Sequence, residues 1–272
     1  MQKKRVTERF PFLLPIRKFQ RKIFFYAQMK TDSNKYARKI SKDLLEHKVF
    51  LGKSKLINSE SGYDIKYQIN KIHNLKLVAN TMNKVIIEPN ETFSFWMLAK
   101  DAESGEKYKK ALVMVNNQIV PLEGGGLCQM SNLLFWLFIH TPLTIVERHP
   151  HSAETMPLPK GDIPEGVDAT IAEGWLDLKV KNETQESFQL FIEFDDEFMY
   201  GTILSNSFQE VIYTVKSENV KYTRENEKIY RYNQIYKEGY SFFKKNLVSR
   251  ELILDNKYEI KYDIESEIGV IK

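Results

Sequence analysis

The sequence predicts an α+β protein, with helices concentrated in its first half and strands in its second. Two stretches, Ile69 to Asn83 and Cys128 to Ile139, place apolar residues at helical spacing. From Val167 onward the pattern turns to short alternating runs of apolar and polar residues, the signature of half-buried strands. The chain has 272 residues, of which 42% are hydrophobic and 12% aromatic, so it can bury a sizeable core and is not a disordered chain.

Taken in order, the run Phe10 to Ile16 is followed by Arg17, Lys18, Arg21 and Lys22, with Phe19, Ile23 and Tyr26 on one helical face. Asp32 to Leu45 also has helical spacing, at Tyr36, Ile40 and Leu44, with Asp32 or Ser33 as the N-cap. Ile72, Leu75, Val78, Ala79 and Met82 form the stripe of the next helix, and Val85 to Ile87 reads as a strand ending at Pro89-Asn90. Glu91 to Leu98 is an aromatic-rich strand or buried loop, and Ala111 to Val120 is strand-like around a turn at Asn116-Asn117. Cys128 to Ile139 is the strongest helix pattern, stopped by Thr141-Pro142. Leu143 to Val146 is β-like, and Pro150, Pro157, Pro159 and Pro164 mark a long connection. Strands are then expected at 169–171, 176–180, 188–194 and 200–204, and in the tail at 211–215, 228–236 and 252–260.

Charge is unevenly spread. Residues 1–55 hold 16 Lys and Arg against four Asp and Glu, whereas the other 217 hold 24 against 32. The expected organisation is a basic helical arm (1–55), a core (56–205) and a β-rich C-terminal extension (206–272). An anionic membrane surface is a natural partner for the arm; packing on the acidic body is the plainer alternative. No nucleic-acid motif accompanies the charge, so nucleic acid is not an expected partner.

One cysteine excludes an intramolecular disulfide. The longest apolar run, Leu133 to Ile139, is seven residues against the ~20 of a membrane span. Pro11 and Pro15 interrupt the N-terminal apolar run and no small-residue cleavage site follows, which fits a signal peptide poorly. The expected location is cytoplasmic or peripheral on the inner membrane face.

The segment Glu123 to Ser131 concentrates the chemistry. Gly124, Gly125 and Gly126 permit positive φ and close backbone approach, leaving amide groups to face a ligand. Cys128 follows at a helix start, where the macrodipole favours a thiolate, and Gln129 or the glycine amides are the candidate oxyanion donors. His149 and His151 flank Pro150 in an extended segment, so the two imidazoles are expected to point the same way. Either is placed to serve as the base for Cys128. Asp168, expected to open a strand, is the group to orient that imidazole.

Other readings stand beside this one. Cys128 is otherwise a small buried hydrophobe and the glycines a turn; His140 is a helix C-cap; Arg148 holds an anionic ligand or pairs with Glu147. A zinc site from Cys128, His149 and His151 is a third chemistry, although no standard spacing supports it. No cofactor is expected.

Five ordered motifs carry a family resemblance: Glu91-Thr92-Phe93-Ser94-Phe95, Gly124-Gly125-Gly126-Leu127-Cys128-Gln129-Met130-Ser131, Glu147-Arg148-His149-Pro150-His151-Ser152, Val167-Asp168-Ala169-Thr170, and Asp177-Leu178-Lys179-Val180-Lys181-Asn182. Together they resemble the VanW family, from the N-terminus to about residue 205 and more loosely beyond. One position departs: the family has Ser-Ser or Ser-Thr after Cys-Gln-x, and here Ser131 precedes Asn132, removing a second hydroxyl. The resemblance implies a bacterial cell-envelope or glycopeptide-resistance setting without an assigned reaction. The order Cys at a helix start, then His, then Asp also resembles papain-like transglutaminase folds.

The expected function is a thiol-dependent acyl or amide hydrolase or transferase acting on a peptidoglycan precursor. Its catalytic set is Cys128, His151 (or His149) and Asp168, with Gly124, Gly125, Gly126, Gln129, Ser131 and Arg148 lining the site. The alternative is a non-catalytic binding or adaptor module for an anionic envelope ligand.

Overall fold

Asp64 starts the first core helix by accepting a hydrogen bond from the Lys66 amide at 2.9 Å, a side-chain N-cap. In this computed structural model, which describes residues 10–59, 61–115, 118–155, 161 and 163–264, that helix runs Ile65–Met82. Its inward face is Leu75, Val78, Ala79 and Met82, all buried.

The helices are α1 (Leu14–Thr31), α2 (Ile65–Met82), α3 (Phe95–Ala99) and α4 (Cys128–Ile139). The strands are β1 (Lys35–Tyr36), β2 (Lys39–Ile40), β3 (His47–Lys55), β4 (Val85–Ile87), β5 (Glu91–Ser94), β6 (Lys110–Val115), β7 (Gln118–Glu123), β8 (Thr144–Glu147), β9 (Ala153–Glu154), β10 (Lys179–Lys181), β11 (Phe188–Phe194), β12 (Phe198–Ser205), β13 (Val211–Glu225), β14 (Lys228–Ser241) and β15 (Leu247–Ile260). The class is α+β and rich in sheet. Four sheets result, ordered β1-β5-β10-β8, β2-β4-β11-β12-β3, β13-β14-β15-β9 and β6-β7.

Helix α4 is the hub. Its residues from Leu133 to Ile139 are all buried, as befits a helix apolar all round. Phe138 meets Phe93 of β5 at 5.0 Å between ring centroids, and Trp136 meets Phe50 of β3 at 5.9 Å. The helix therefore lies between the sheet containing β5 and the sheet containing β3. Two glycines admit it: Gly52 and Gly201 are register partners on β3 and β12. A Cβ at Gly201 would sit 2.4 Å from Leu137 Cδ1, and one at Gly52 2.9 Å from Trp136 Cδ1.

Four stretches differ from the sequence expectation. Glu91 to Leu98, expected as a strand or buried loop, is a strand only to Ser94, whose side chain accepts from the Met97 amide at 3.1 Å and starts the short helix α3. The helix expected over Asp32 to Leu45 is absent. Asp32 instead accepts from the Asn34 amide at 3.1 Å and the Tyr36 hydroxyl at 2.6 Å, an Asx turn that competes with helix and feeds two short strands. Within the basic arm, His47–Lys55 forms the edge strand β3; Gly52 is its only buried residue, so no alternation shows in the sequence. The strand expected at 169–171 is irregular. Its amides bond the Asn132 side chain (Ala169, 2.8 Å) and the His149 carbonyl (Thr170, 2.7 Å) instead of a ladder. The turn expected at Asn116-Asn117 lies outside the described residues.

The C-terminal sheet is tied to the rest. Strand β15 pairs in parallel with β9, just after His151. Arg231 of β14 is buried and bridges Glu154 and Glu165, Ile235 joins the main core, and the Lys237 ammonium donates to the Thr141 carbonyl at 2.6 Å.

Candidate functional site

Cys128 is the first residue of α4 and is partly buried. The turn before it is built by packing. Gly124 and Gly126 adopt φ of 73° and 84°, the left-handed region that glycine enters freely. A Cβ at Gly125 would lie 2.1 Å from the Ala111 carbonyl oxygen, and one at Gly126 2.2 Å from Lys71 Cγ. The Gly125 amide donates to Leu122 O at 3.2 Å, and its carbonyl accepts from Asn74 at 3.0 Å. The Gly125 amide, read from the sequence as facing a ligand, thus belongs to the turn itself. Gln129 is also committed: its side-chain amide donates to Ser54 Oγ (2.9 Å) and Lys55 O (2.7 Å) of β3, which anchors the helix start and uses both of its N–H donors.

Ser131 and Asn132, one turn on, hold the opposite wall. Ser131 Oγ donates to the Ala169 carbonyl at 2.6 Å, and Asn132 Oδ1 accepts from the Ala169 amide at 2.8 Å. Ser131 is therefore a strut rather than a ligand-binding hydroxyl. These two bonds fix Asp168 beside the start of α4.

Asp168 is the most connected side chain of the site. Oδ2 accepts from the His151 amide at 2.7 Å and pairs with His151 Nδ1. Oδ1 accepts from Arg148 at 2.5 Å and from the Tyr258 hydroxyl at 2.6 Å. Arg148 Nε also donates to the Asp168 carbonyl at 2.6 Å, with its guanidinium 5.3 Å from the Phe135 ring. Of the two sequence readings of Arg148, the pair with Glu147 is not formed. Its side chain is 10% exposed and clamps Asp168 from two directions, while Glu147 meets Lys179 and His149. Burial opposes charge on Asp168, but His151, Arg148 and Tyr258 outweigh it and hold the carboxyl below its usual range.

His151 joins Asp168 to Cys128. Burial disfavours the imidazolium; hydrogen bonding to Asp168 and to Cys128, with the negative charge of both, overcomes this and raises its pKa to about 10. Nδ1 is taken by Asp168, which leaves Nε2 as the nitrogen available to sulfur. His151 thus pairs directly with Asp168 and has Cys128 as a neighbour that favours its charge, although neither His151 nor Asp168 lies in a regular strand.

His149 stands apart. Its Nε2 is 3.1 Å from Glu147 Oε1, and Glu147 also bridges Lys179 at 2.8 Å. The two imidazoles do not point the same way, because the segment around Pro150 is irregular and the period-two rule fails there. Among the described residues no group of three or more His, Cys, Asp or Glu is arranged to hold a metal ion. His140 caps α4, with Nδ1 2.8 Å from the Trp136 carbonyl and its ring stacked on Phe50 at 3.7 Å; burial lowers its pKa to about 4.

Sequence reasoning missed Tyr258 and Asn132. Asn132 stood out only as a departure from a hydroxyl, and Tyr258 is one tyrosine among 14 with nothing local to mark it.

The family model "VanW like protein" matches residues 70–204, the stretch that holds every residue of this site except Tyr258. Vancomycin B-type resistance protein VanW of Enterococcus faecalis (strain ATCC 700802 / V583) is 41% identical over 270 residues, 99% of this chain and 98% of that protein. The chain belongs to the VanW family. A second relative, the uncharacterized protein YoaR of Bacillus subtilis (strain 168), is 33% identical over 111 residues, 41% of this chain and 35% of that protein. No solved structure matches.

Proposed function

We propose that this VanW-family protein is a cysteine-dependent acyl or amide hydrolase or transferase that acts on a peptidoglycan precursor in glycopeptide resistance. The observation that carries the reading is the chain Cys128–His151–Asp168, held by Arg148 and Tyr258. The near-full-length likeness to a vancomycin resistance protein supplies the setting.

The chemistry follows from the order of groups. The Cys128 thiolate attacks the carbonyl carbon of an amide or ester, forming a C–S bond and a tetrahedral oxyanion. The His151 imidazolium gives its proton to the departing nitrogen or oxygen, the C–N or C–O bond breaks, and a thioester remains on Cys128. His151, now neutral, takes a proton from water or an acceptor amine as that nucleophile attacks the thioester. The C–S bond breaks and the thiolate returns. Asp168 fixes the imidazole orientation and favours its charged form, and Arg148 and Tyr258 fix Asp168. The Gln129 side-chain amide and the Gly125 N–H are engaged elsewhere, so the oxyanion takes its hydrogen bonds from the other backbone amides of the turn and helix start.

The test uses purified protein with muramyl-peptide precursors, read by product formation and by intact-protein mass. An acyl adduct at Cys128 and loss of turnover in Cys128→Ala are expected. Turnover, or restored glycopeptide resistance in cells, by Cys128→Ala ends the proposal.

A further inference from the structure

Among the described residues, helix α1 leaves a long apolar stripe without a partner. Ile16, Phe19 and Ile23 follow one another at spacings of three and four, on one face of the helix, and are 55%, 65% and 50% exposed. Phe12, one turn earlier, is 71% exposed, and Phe24 beside the stripe 72%. A contiguous strip of this kind is uncommon on a surface that meets only water.

The C-terminal half of the helix shows how it is held. Met29 is buried with Tyr36 and Met97. The Tyr26 hydroxyl donates to Glu173 at 2.8 Å, Lys22 pairs with Glu173 at 2.8 Å, and the Arg21 guanidinium lies 3.6 Å from the Trp175 ring centre. The C-terminal half of α1 is thus docked on the turn at residues 172–176, directly after the segment that carries Asp168, and its N-terminal half presents the stripe outward. Trp175 itself is 56% exposed.

Charge identifies the partner. Between Phe10 and Thr31 the chain has five cations, Arg17, Lys18, Arg21, Lys22 and Lys30, and no Asp or Glu. Arg17 and Lys18 are exposed beside the stripe. Among the described residues no helix is long and apolar enough to cross a membrane. A second copy offering the same face would set Arg17 and Lys18 against the same two cations across a twofold contact. Apolar side chains flanked by cations suit a lipid surface, where rings and aliphatic chains enter the acyl boundary and Arg and Lys meet anionic headgroups.

We infer that α1 is an interfacial anchor, seating the chain on an anionic lipid bilayer through Phe12, Ile16, Phe19 and Ile23 with Arg17 and Lys18. The inference is independent of the reaction at Cys128. It places the turn at 172–176, and with it the approach to the candidate site, next to the membrane plane.

Flotation of the full chain with phosphatidylcholine vesicles, with and without phosphatidylglycerol, tests it. Binding about tenfold stronger to the anionic vesicles, and weakened by salt, is expected. Phe19→Ser/Ile23→Ser lowers that binding about tenfold with an unchanged unfolding midpoint, since both side chains are exposed. Arg17→Gln/Lys18→Gln lowers binding to anionic vesicles alone. No flotation of the wild type, or flotation that survives Phe19→Ser/Ile23→Ser, overturns the inference. So does a dimer, dissolved by that same double substitution, in protein that does not float.

Discussion

Tyr258 and Asp168 lie 90 residues apart in the chain, and the Tyr258 hydroxyl donates to Asp168 Oδ1 at 2.6 Å. The bond joins the C-terminal sheet to the carboxylate that orients His151. Burial and the Asp168 charge push the Tyr258 hydroxyl's pKa up, so it remains a donor across the physiological range. Tyr258→Phe keeps the ring and deletes two hydrogen bonds to charged groups, the one given to Asp168 and the longer one accepted from Arg148 at 3.2 Å, a loss of at least about 1.5–3 kcal/mol in unfolding free energy. Urea denaturation with an unchanged m-value checks it. Turnover should fall less than in Asp168→Asn, because Arg148 still holds the carboxylate.

Stability should fall on the alkaline side through His151. Its folded pKa is raised to about 10, against about 6.5 in an unfolded chain. The folded state binds the proton more tightly, so the stabilisation is fully present below about pH 6.5 and is lost as pH rises through the folded value. Asp168 has the opposite sign: its lowered pKa contributes above the usual carboxylate value and is lost as pH falls through the folded one. Unfolding midpoints measured from pH 6 to 10 should therefore decline less in His151→Ala than in the wild type.

The only thiol reports on the site directly. Iodoacetamide should alkylate Cys128 at neutral pH about tenfold faster in wild type than in His151→Ala. His149→Ala and Gln129→Ala should each stay within about twofold of wild type, since His149 faces Glu147 and Gln129 is bonded to β3. An equal slowing in His149→Ala would contradict the placement of His151 as partner.

The glycine turn should be intolerant for steric reasons. Gly125→Ala drives a Cβ into the Ala111 carbonyl at 2.1 Å, a backbone clash expected to cost more than about 3 kcal/mol. Gly105→Ala, with nothing within 4 Å of its Cβ, should stay within about 0.5 kcal/mol of wild type. Thermal unfolding of the two variants separates a packing role for Gly125 from general glycine loss.

How much of this was legible in advance differs residue by residue. The α2 and α4 helices were readable because their apolar stripes run for three turns or more, longer than any competing local signal. The Asp32 region misled because Tyr36, Ile40 and Leu44 keep helical spacing, while a carboxylate bonding its own neighbours outweighed it. Strand β3 left no alternation to find, since an edge strand under α4 needs only Gly52 buried. Cys128, His151 and Asp168 were all named from the chain, with His149 as the second choice for the base; the fold turns the His149 ring to Glu147. Arg148 and Gln129 were read as ligand-facing because a donor's partner is set by tertiary neighbours.

The sequence by itself determined the α+β class, the family, the thiol at a helix start and the charge of the arm, because each rests on residue type, local period or ordered motifs. Tertiary structure alone decided that His151 and not His149 pairs with Asp168, that the Gly125 amide closes its own turn, and that Tyr258 bonds Asp168. Those outcomes depend on side-chain directions between segments up to 90 residues apart, and no local period encodes them.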